Sequence, residues 1–301
     1  MKIPRRLGRL YYYPVNLLSW AVFATVGLAL NVFCAPLLLL GTRPLLGPMV
    51  RDLIRRLFAA WCGWLGFTRL VRVRFHGFTA QAMTGPAVYV SNHPGLMDAT
   101  FLLSRLPDTI CIFKPAVMRN PVLGPAALMA GYASGGSGLD SLRDVADRIK
   151  TGRSLLIFPE GTRTAHGVRL NPLRPGFALI AARARVPVRV ILIHAPRDLL
   201  PKGWPWWRPP SCPAQVDLTL GPELTVAQGS NARELAERVA LALSSGLDSE
   251  FFPGVPCHAL GPPTGVKSDP QALPVCDPSR QASGGARLTA SPRISMSSRQ
   301  T

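Results

Sequence analysis

From Val15 to Leu40 the chain carries no charged residue. As one helix at about 1.5 Å per residue the run would reach roughly 39 Å, and the part before Pro36 alone roughly 32 Å, enough for a hydrocarbon core of about 30 Å. Pro36 is predicted to interrupt it, since an interior proline removes a helical hydrogen bond. A cleaved signal peptide would use Lys2, Arg5, Arg6 and Arg9 as its basic start. The apolar run is too long for that reading, and no small-x-small cleavage site follows. Arg43, Arg51, Arg55 and Arg56 lie beyond the run, so basic residues flank both ends and place both on the cytoplasmic side. A re-entrant or hairpin segment, turning among Gly41, Pro44, Gly47 and Pro48, satisfies that constraint; a single span is the alternative. Residues 1–48 are accordingly expected to form a basic, membrane-inserted segment at the cell inner membrane.

The charge balance fits the same picture. Lys and Arg number 34 against 16 Asp and Glu, a formal net charge of +18, and this excess concentrates in residues 1–74, where only Asp52 is acidic. A high pI is the usual footprint of nucleic-acid binding. Here the basic residues flank an apolar run rather than interleave with aromatics, so membrane lipids are the expected partner and nucleic acid is not. Arginine outnumbers lysine beside abundant Ala, Pro and Gly, a bias that a GC-rich genome also produces. With 48% apolar and 17% charged residues, the chain is too hydrophobic for a disordered protein.

Val50, Leu53, Ile54, Leu57, Phe58, Trp61 and Leu65 recur at helical spacing with arginines between them, which predicts an amphipathic helix. It either packs on a soluble core or lies in the headgroup layer with its apolar face down. Beside a membrane-length run the second, interfacial reading is favoured. From residue 70 short β-branched runs alternate with helical stretches. Strands are expected at 70–75, 87–91, 109–113, 154–158, 186–194 and 215–220, a helix on the stripe Leu142, Val145, Ala146, Ile149, and a final helix capped by Asn231 with Glu234 and ending near Gly246. Alternation of this kind implies an α/β domain over 49–250. Residues 251–301 are Pro-, Ser- and Gly-rich and are expected to form a disordered tail. Six scattered cysteines have no metal-ligand spacing, so no metal site is expected and free thiols in a reducing cytoplasm are the default. His76, His166 and His258 read as surface residues and His194 as structural. Trp204, Trp206 and Trp207 read either as a lid on the core or as an interfacial belt.

Directly after the strand at 87–91 comes Ser91-Asn92-His93-Pro94-Gly95-Leu96-Met97-Asp98. Pro94 suits a first helical turn, with His93 at the cap and Asp98 above it. A carboxylate that accepts one ring N–H fixes the tautomer and leaves the other nitrogen free to take a hydroxyl proton. A histidine that merely caps a helix is the bland alternative. The balance shifts with Phe158-Pro159-Glu160-Gly161-Thr162-Arg163, which also stands at a strand's carboxyl end, the edge where α/β sheets bind ligands.

Asn92-His93-x4-Asp98 followed by that hexapeptide resembles the glycerolipid acyltransferase family, whose bacterial members include enzymes that acylate 1-acyl-glycerol-3-phosphate. Lys114, Asn120-Pro121, Gly124 and Val186-Pro187-Val188 resemble other blocks of the family, and the likeness covers roughly residues 50–245. It implies a mixed α/β sheet flanked by helices. It also implies acyl transfer from coenzyme A or acyl carrier protein to a lysophospholipid hydroxyl, with no further cofactor. His93 would be the base and Asp98 its partner. The stretch at Gly161 and Thr162 would offer donors to an oxyanion or phosphate, Arg163 would clamp an anion with Lys114 in support, and Glu160 would hold the loop or orient the acceptor. Other acceptors, a lyso-ornithine lipid or a polyene lipid, and a non-catalytic lipid-binding scaffold are the alternatives.

Overall fold

The structure, a computed structural model, describes residues 5–135, 138–225 and 231–248. The tail expected over 251–301 lies outside them.

Helix α1 (Arg5–Leu39) runs unbroken through Pro14 and Pro36. The expected break at Pro36 does not occur, because a proline one turn from a helix end costs only bonds of the closing turn. The chain reverses at Leu40-Gly41-Thr42, where Gly41 takes a positive φ of 68° and Thr42 N–H and Oγ1 both donate to Leu37 O. Helix α2 (Arg43–Phe67) then starts with Pro44 in its first turn, ahead of the start expected near Val50. Of its apolar stripe Val50, Ile54, Trp61 and Leu65 are buried against the protein, Leu57 and Phe58 are half-buried and Leu53 is exposed. The helix packs on α1 and on the sheet, while Leu45, Met49, Leu53 and Phe67 along it are exposed.

Among the described residues, seven strands form one sheet in the order β1-β7-β6-β2-β5-β3-β4. They are β1 (Val71–His76), β2 (Val88–Ser91), β3 (Thr109–Phe113), β4 (Ala133–Ser134), β5 (Ser154–Ile157), β6 (Val188–His194) and β7 (Ala214–Leu224). All pairs are parallel except β6 with β7. Every residue of β2 is buried, as a parallel strand covered on both faces requires. Helices α6 (Leu139–Lys150), α7 (Gly176–Ala184) and α8 (Ala232–Asp248) pack side by side, with α7 on β2 and α8 on β6 and β7. Short helices α3 (Asp98–Leu103), α4 (Pro115–Met118) and α5 (Gly124–Met129) follow β2 and β3, and α5 packs on α1 and α2. Asn231 caps α8 through Arg233 N–H at 3.0 Å. The helix passes through Gly246, where a Cβ would lie 2.4 Å from a Leu192 methyl; this glycine marks close packing rather than the helix end.

Candidate active site

Parallel register assembles the two motifs. Val90 pairs with Ile157, so three residues further on His93 and Glu160 leave the same edge of the sheet side by side. The contact is direct: Glu160 Oε1 accepts the His93 backbone N–H at 2.7 Å and the Thr164 hydroxyl at 3.0 Å, while Oε2 accepts Asn171 N–H at 2.9 Å. Thr164 N–H returns to His93 O at 2.7 Å. Glu160 is buried and burial pushes its carboxyl up, against the pull of those donors. Both its oxygens are used inside the protein, so of the two roles expected for it, holding the loop is the one its geometry serves.

Asn92 fixes the other side. Its amide donates to Ile193 O at 2.9 Å and accepts Ile193 N–H at 2.8 Å, a side chain standing in for the next rung of the β2–β6 ladder. Between these anchors the His93 ring stacks on Phe158, with centroids 4.2 Å apart and planes 21° from parallel. Its Nδ1 lies 2.8 Å from Asp98 Oδ2, which also accepts Gly95 N–H at 2.8 Å. The carboxylate as acceptor makes Nδ1 the protonated nitrogen. Nε2 is bonded to no group among the described residues.

The helix after this motif starts later than expected. Asp98 is the first residue of α3, and His93 to Met97 wrap around its carboxylate as a loop. Gly95 makes that loop possible, since a Cβ there would stand 2.7 Å from Leu199 O and 3.2 Å from Asp98 Oδ1. Asp98 is fully buried, and burial raises its pKa, opposed by His93, the Gly95 amide and the positive charge of Arg163.

Gly161 turns the second motif with φ 67°, but its N–H is engaged by Phe158 O at 3.0 Å. The N–H groups of Thr162 and Arg163 donate to no acceptor among the described residues. Arg163 Nη1 donates to Leu200 O at 3.0 Å and Pro201 O at 2.9 Å, which ties the loop to the segment after β6 and leaves the Nε–Nη2 edge for a ligand. Arg174 was not singled out from sequence: its guanidinium lies over Gly161, 3.1 Å from where a Cβ would be. The only sequence signal is its position just before α7. Lys114 follows β3 on the same edge, separated from β2 by β5, and is exposed with no bond to the other site residues. His76, expected at the surface without a partner, has Nε2 2.9 Å from Asp217 Oδ1.

An apolar cavity of about 210 Å³ lies between α1, α2 and α5. Phe23, Gly27, Leu30, Trp61, Phe113 and Val122 contribute to its lining. Phe113 ends β3, one residue before Lys114, so the cavity reaches the edge that carries His93.

Residues 72–194 match the family described as Acyltransferase. A chloroplast 1-acyl-sn-glycerol-3-phosphate acyltransferase of Brassica napus is 37% identical over 123 residues, 39% of this chain and 36% of that protein. The lyso-ornithine lipid O-acyltransferase of Pseudomonas aeruginosa is 33% identical over 159 residues, 52% of this chain and 60% of its own. The chain thus spans from about a third to three fifths of these two relatives. The crystal structure of the 1-acyl-sn-glycerophosphate acyltransferase PlsC from Thermotoga maritima superposes with a TM-score of 0.60 at 21% identity, over 78% of this chain and 97% of that one, which establishes the fold. Residues 72–194, with both motifs joined through Glu160 at one sheet edge, thus form a domain of the Acyltransferase family, similar in sequence to 1-acyl-sn-glycerol-3-phosphate acyltransferases.

Proposed function

We propose that the protein is a membrane-bound O-acyltransferase that moves a fatty acyl group from acyl-CoA or acyl carrier protein to 1-acyl-glycerol-3-phosphate. The observation that carries this reading is the buried Asp98–His93 pair, with Nε2 left open on the ligand-binding edge. Nε2 takes the acceptor's hydroxyl proton as its oxygen attacks the thioester carbonyl carbon. Negative charge develops on the carbonyl oxygen, and the Thr162 and Arg163 amides are the donors we assign to it. Collapse breaks the C–S bond, and the imidazolium returns the proton to the departing thiolate. Ester and free thiol balance the equation with no other cofactor. The acyl chain has an apolar cavity in which to lie, and the acceptor phosphate has the free edge of Arg163 with Arg174 beside it.

The membrane assignment rests on α1. Its hydropathy and length suffice for crossing a bilayer, yet its inward stripe carries Asn16, Ser19, Asn31 and Cys34, all buried, while Leu17, Leu28, Val32 and Phe33 are exposed. A helix with polar residues toward the protein and apolar ones outward is the inverse of a soluble surface helix, and lipid is the solvent that suits it. Basic residues at the chain start and on α2 favour the cytoplasmic leaflet of the inner membrane.

The experiment is product-mass analysis of purified protein given labelled acyl-CoA or acyl carrier protein with matched lysolipids. Turnover with 1-acyl-glycerol-3-phosphate that falls about 10² to 10⁴-fold in folded His93→Ala supports the reading. Turnover only with lyso-ornithine lipid reassigns the acceptor, and full activity of His93→Ala removes the mechanism.

A further inference from the structure

Four arginines meet at the end of the sheet opposite His93. Arg51, 4% exposed, donates from Nη1 to Ala130 O at 2.8 Å and from Nε to Asp108 at 2.6 Å. Arg148 donates to Gly131 O at 3.1 Å and to Asp144 at 2.7 Å. A Cβ built on Gly131 would lie 3.6 Å from Arg43 Nη2 and 3.7 Å from Arg51 Nη1, so both guanidiniums crowd this one residue. Arg153, half-buried, directly precedes β5, and Asp108 directly precedes β3. Since β5 and β2 are parallel, the length of β5, roughly 13 Å, separates this cluster from the edge that carries His93.

Capping the carbonyl end of α5 explains two of these arginines. It does not explain the others: among the described residues, Arg43 and Arg153 form no ion pair and no side-chain hydrogen bond. The nearby carboxylates, Asp108 and Asp144, are already held by Arg51 and Arg148, and both are about half exposed. Burial first, and then like charge including that of Arg148 and Arg51, pull both Arg43 and Arg153 below the ordinary guanidinium range, against the opposing pull of Asp144 on Arg43 and of Asp108 on Arg153. The rim is apolar. Leu39, Leu40, Leu45 and Met49, on and beside the α1–α2 turn, are all exposed large hydrophobics.

We propose that Arg43 and Arg153, backed by Arg51 and Arg148, form a second anion site for a phosphate ester, separate from the acyl-transfer site. Forked guanidinium donors suit a phosphate's oxygens, and two arginines without ion-pair partners can both be engaged by one doubly charged group. The apolar rim matches a lipid that brings its headgroup phosphate to the arginines and keeps its chains beside Leu45 and Met49. This inference assumes nothing about the acyl-transfer chemistry.

The test compares the full chain in detergent with Arg43→Gln/Arg153→Gln in two arms. One follows thermal unfolding against inorganic phosphate at constant ionic strength; the other follows binding to phosphatidylcholine vesicles with and without phosphatidate. A site predicts saturable stabilisation by phosphate, preference for phosphatidate vesicles, or both, and its loss in the double variant. For the vesicles the loss should be about thirtyfold, from roughly fivefold per basic side chain. Response to phosphate alone assigns a soluble anion, and response to phosphatidate vesicles alone assigns a lipid headgroup. Phosphate bound at the acyl-transfer site cancels in the comparison, because both proteins keep that site. Equal behaviour of the two proteins in both arms overturns the proposal. So does full restoration by Arg43→Lys/Arg153→Lys, which would mean diffuse charge rather than a shaped site. Should the double variant fail to fold, Arg43→Gln alone, at the half-exposed start of α2, carries the same comparison.

Discussion

His93 is held by backbone, ring stacking and one carboxylate, and each restraint predicts a different failure. Losing the ring removes the base and little else, because the His93 N–H and C=O stay bonded to Glu160 and Thr164. Asp98 is in tension with its surroundings. Its folded pKa lies above the ordinary carboxylate value because of burial, so the folded state binds that proton more tightly than the unfolded chain. By linkage, its contribution to stability is fully present below the unfolded pKa and is lost as pH rises through the folded one. Asp98→Asn, which cannot ionise, should therefore gain melting temperature relative to wild type as pH is raised from the ordinary carboxylate value of 3.8 until the folded carboxyl has ionised, while turnover falls. A melting difference that is flat or shrinks over that range would contradict this. Glu160→Gln tests a carboxylate whose two oxygens are both engaged by donors inside the protein. One amide oxygen can still accept from His93 and Thr164, but the new NH₂ faces the Asn171 N–H, and leaving that donor unpaired costs about 1–3 kcal/mol. Activity should drop with acceptor KM little changed, since the substitution moves the base and not a substrate contact; a rise in KM alone would make Glu160 a binding residue instead.

At the scale of elements, local pattern and non-local packing contributed separately. The longer strands were legible because buried parallel strands are runs of β-branched and aliphatic residues: 109–113 agrees with β3 at both ends, and 154–158 overshoots β5 by one residue. The two-residue β4 carries no such run and was missed. The His93 and Glu160 segments could be placed at strand ends from sequence, and their meeting then followed from the β2–β5 register. What could not be read was anything fixed by a distant chain segment. The start of α3 moved because Gly95 fits beneath Leu199, more than a hundred residues later. Val50, Ile54, Trp61 and Leu65 of α2 turned inward because α1 and α5 were there to receive them, which a helical period alone does not disclose. Arg174 gained its place only through the fold of the Gly161 turn. Gly95→Ala isolates one of these long-range constraints. Its Cβ would force Leu199 O and Asp98 apart, and the predicted result is lower turnover with a destabilisation of roughly 1–3 kcal/mol, as overpacking commonly costs. Wild-type kinetics in Gly95→Ala would show that the loop yields without moving Asp98.

For the whole molecule, α1 is both a helix long and apolar enough to cross a membrane and a packed part of the domain. The described residues all fall within a single compact unit. Asn31 donates to Val122 O at 2.6 Å and accepts Ala126 N–H at 2.7 Å, and Asn16 donates to Trp207 O at 3.0 Å, so two buried amides some fifteen residues apart clamp the helix along roughly 22 Å of the protein. Trp20 and Trp206 meet edge to face beside the second clamp, which brings the tryptophan loop onto the helix with Trp206 and Trp207 half exposed. Removing α1 would uncover the apolar cavity along with the clamps, so truncation confounds anchoring with folding. Single charges on the outer face separate them. Leu28 and Val32 are exposed and one turn apart, and neither lines the cavity. Leu28→Glu/Val32→Glu should leave the folded domain and its melting temperature in detergent near wild type, because carboxylates on an outward face lose no packing. In cells the same variant should move from the membrane pellet to the supernatant, since a carboxylate facing hydrocarbon is strongly disfavoured. Turnover measured on acceptor dispersed in detergent should persist while turnover on acceptor in vesicles falls. Retention in the pellet with unchanged vesicle turnover would mean that the outer face of α1 does not meet lipid, and the membrane assignment would then have to rest on the basic residues alone.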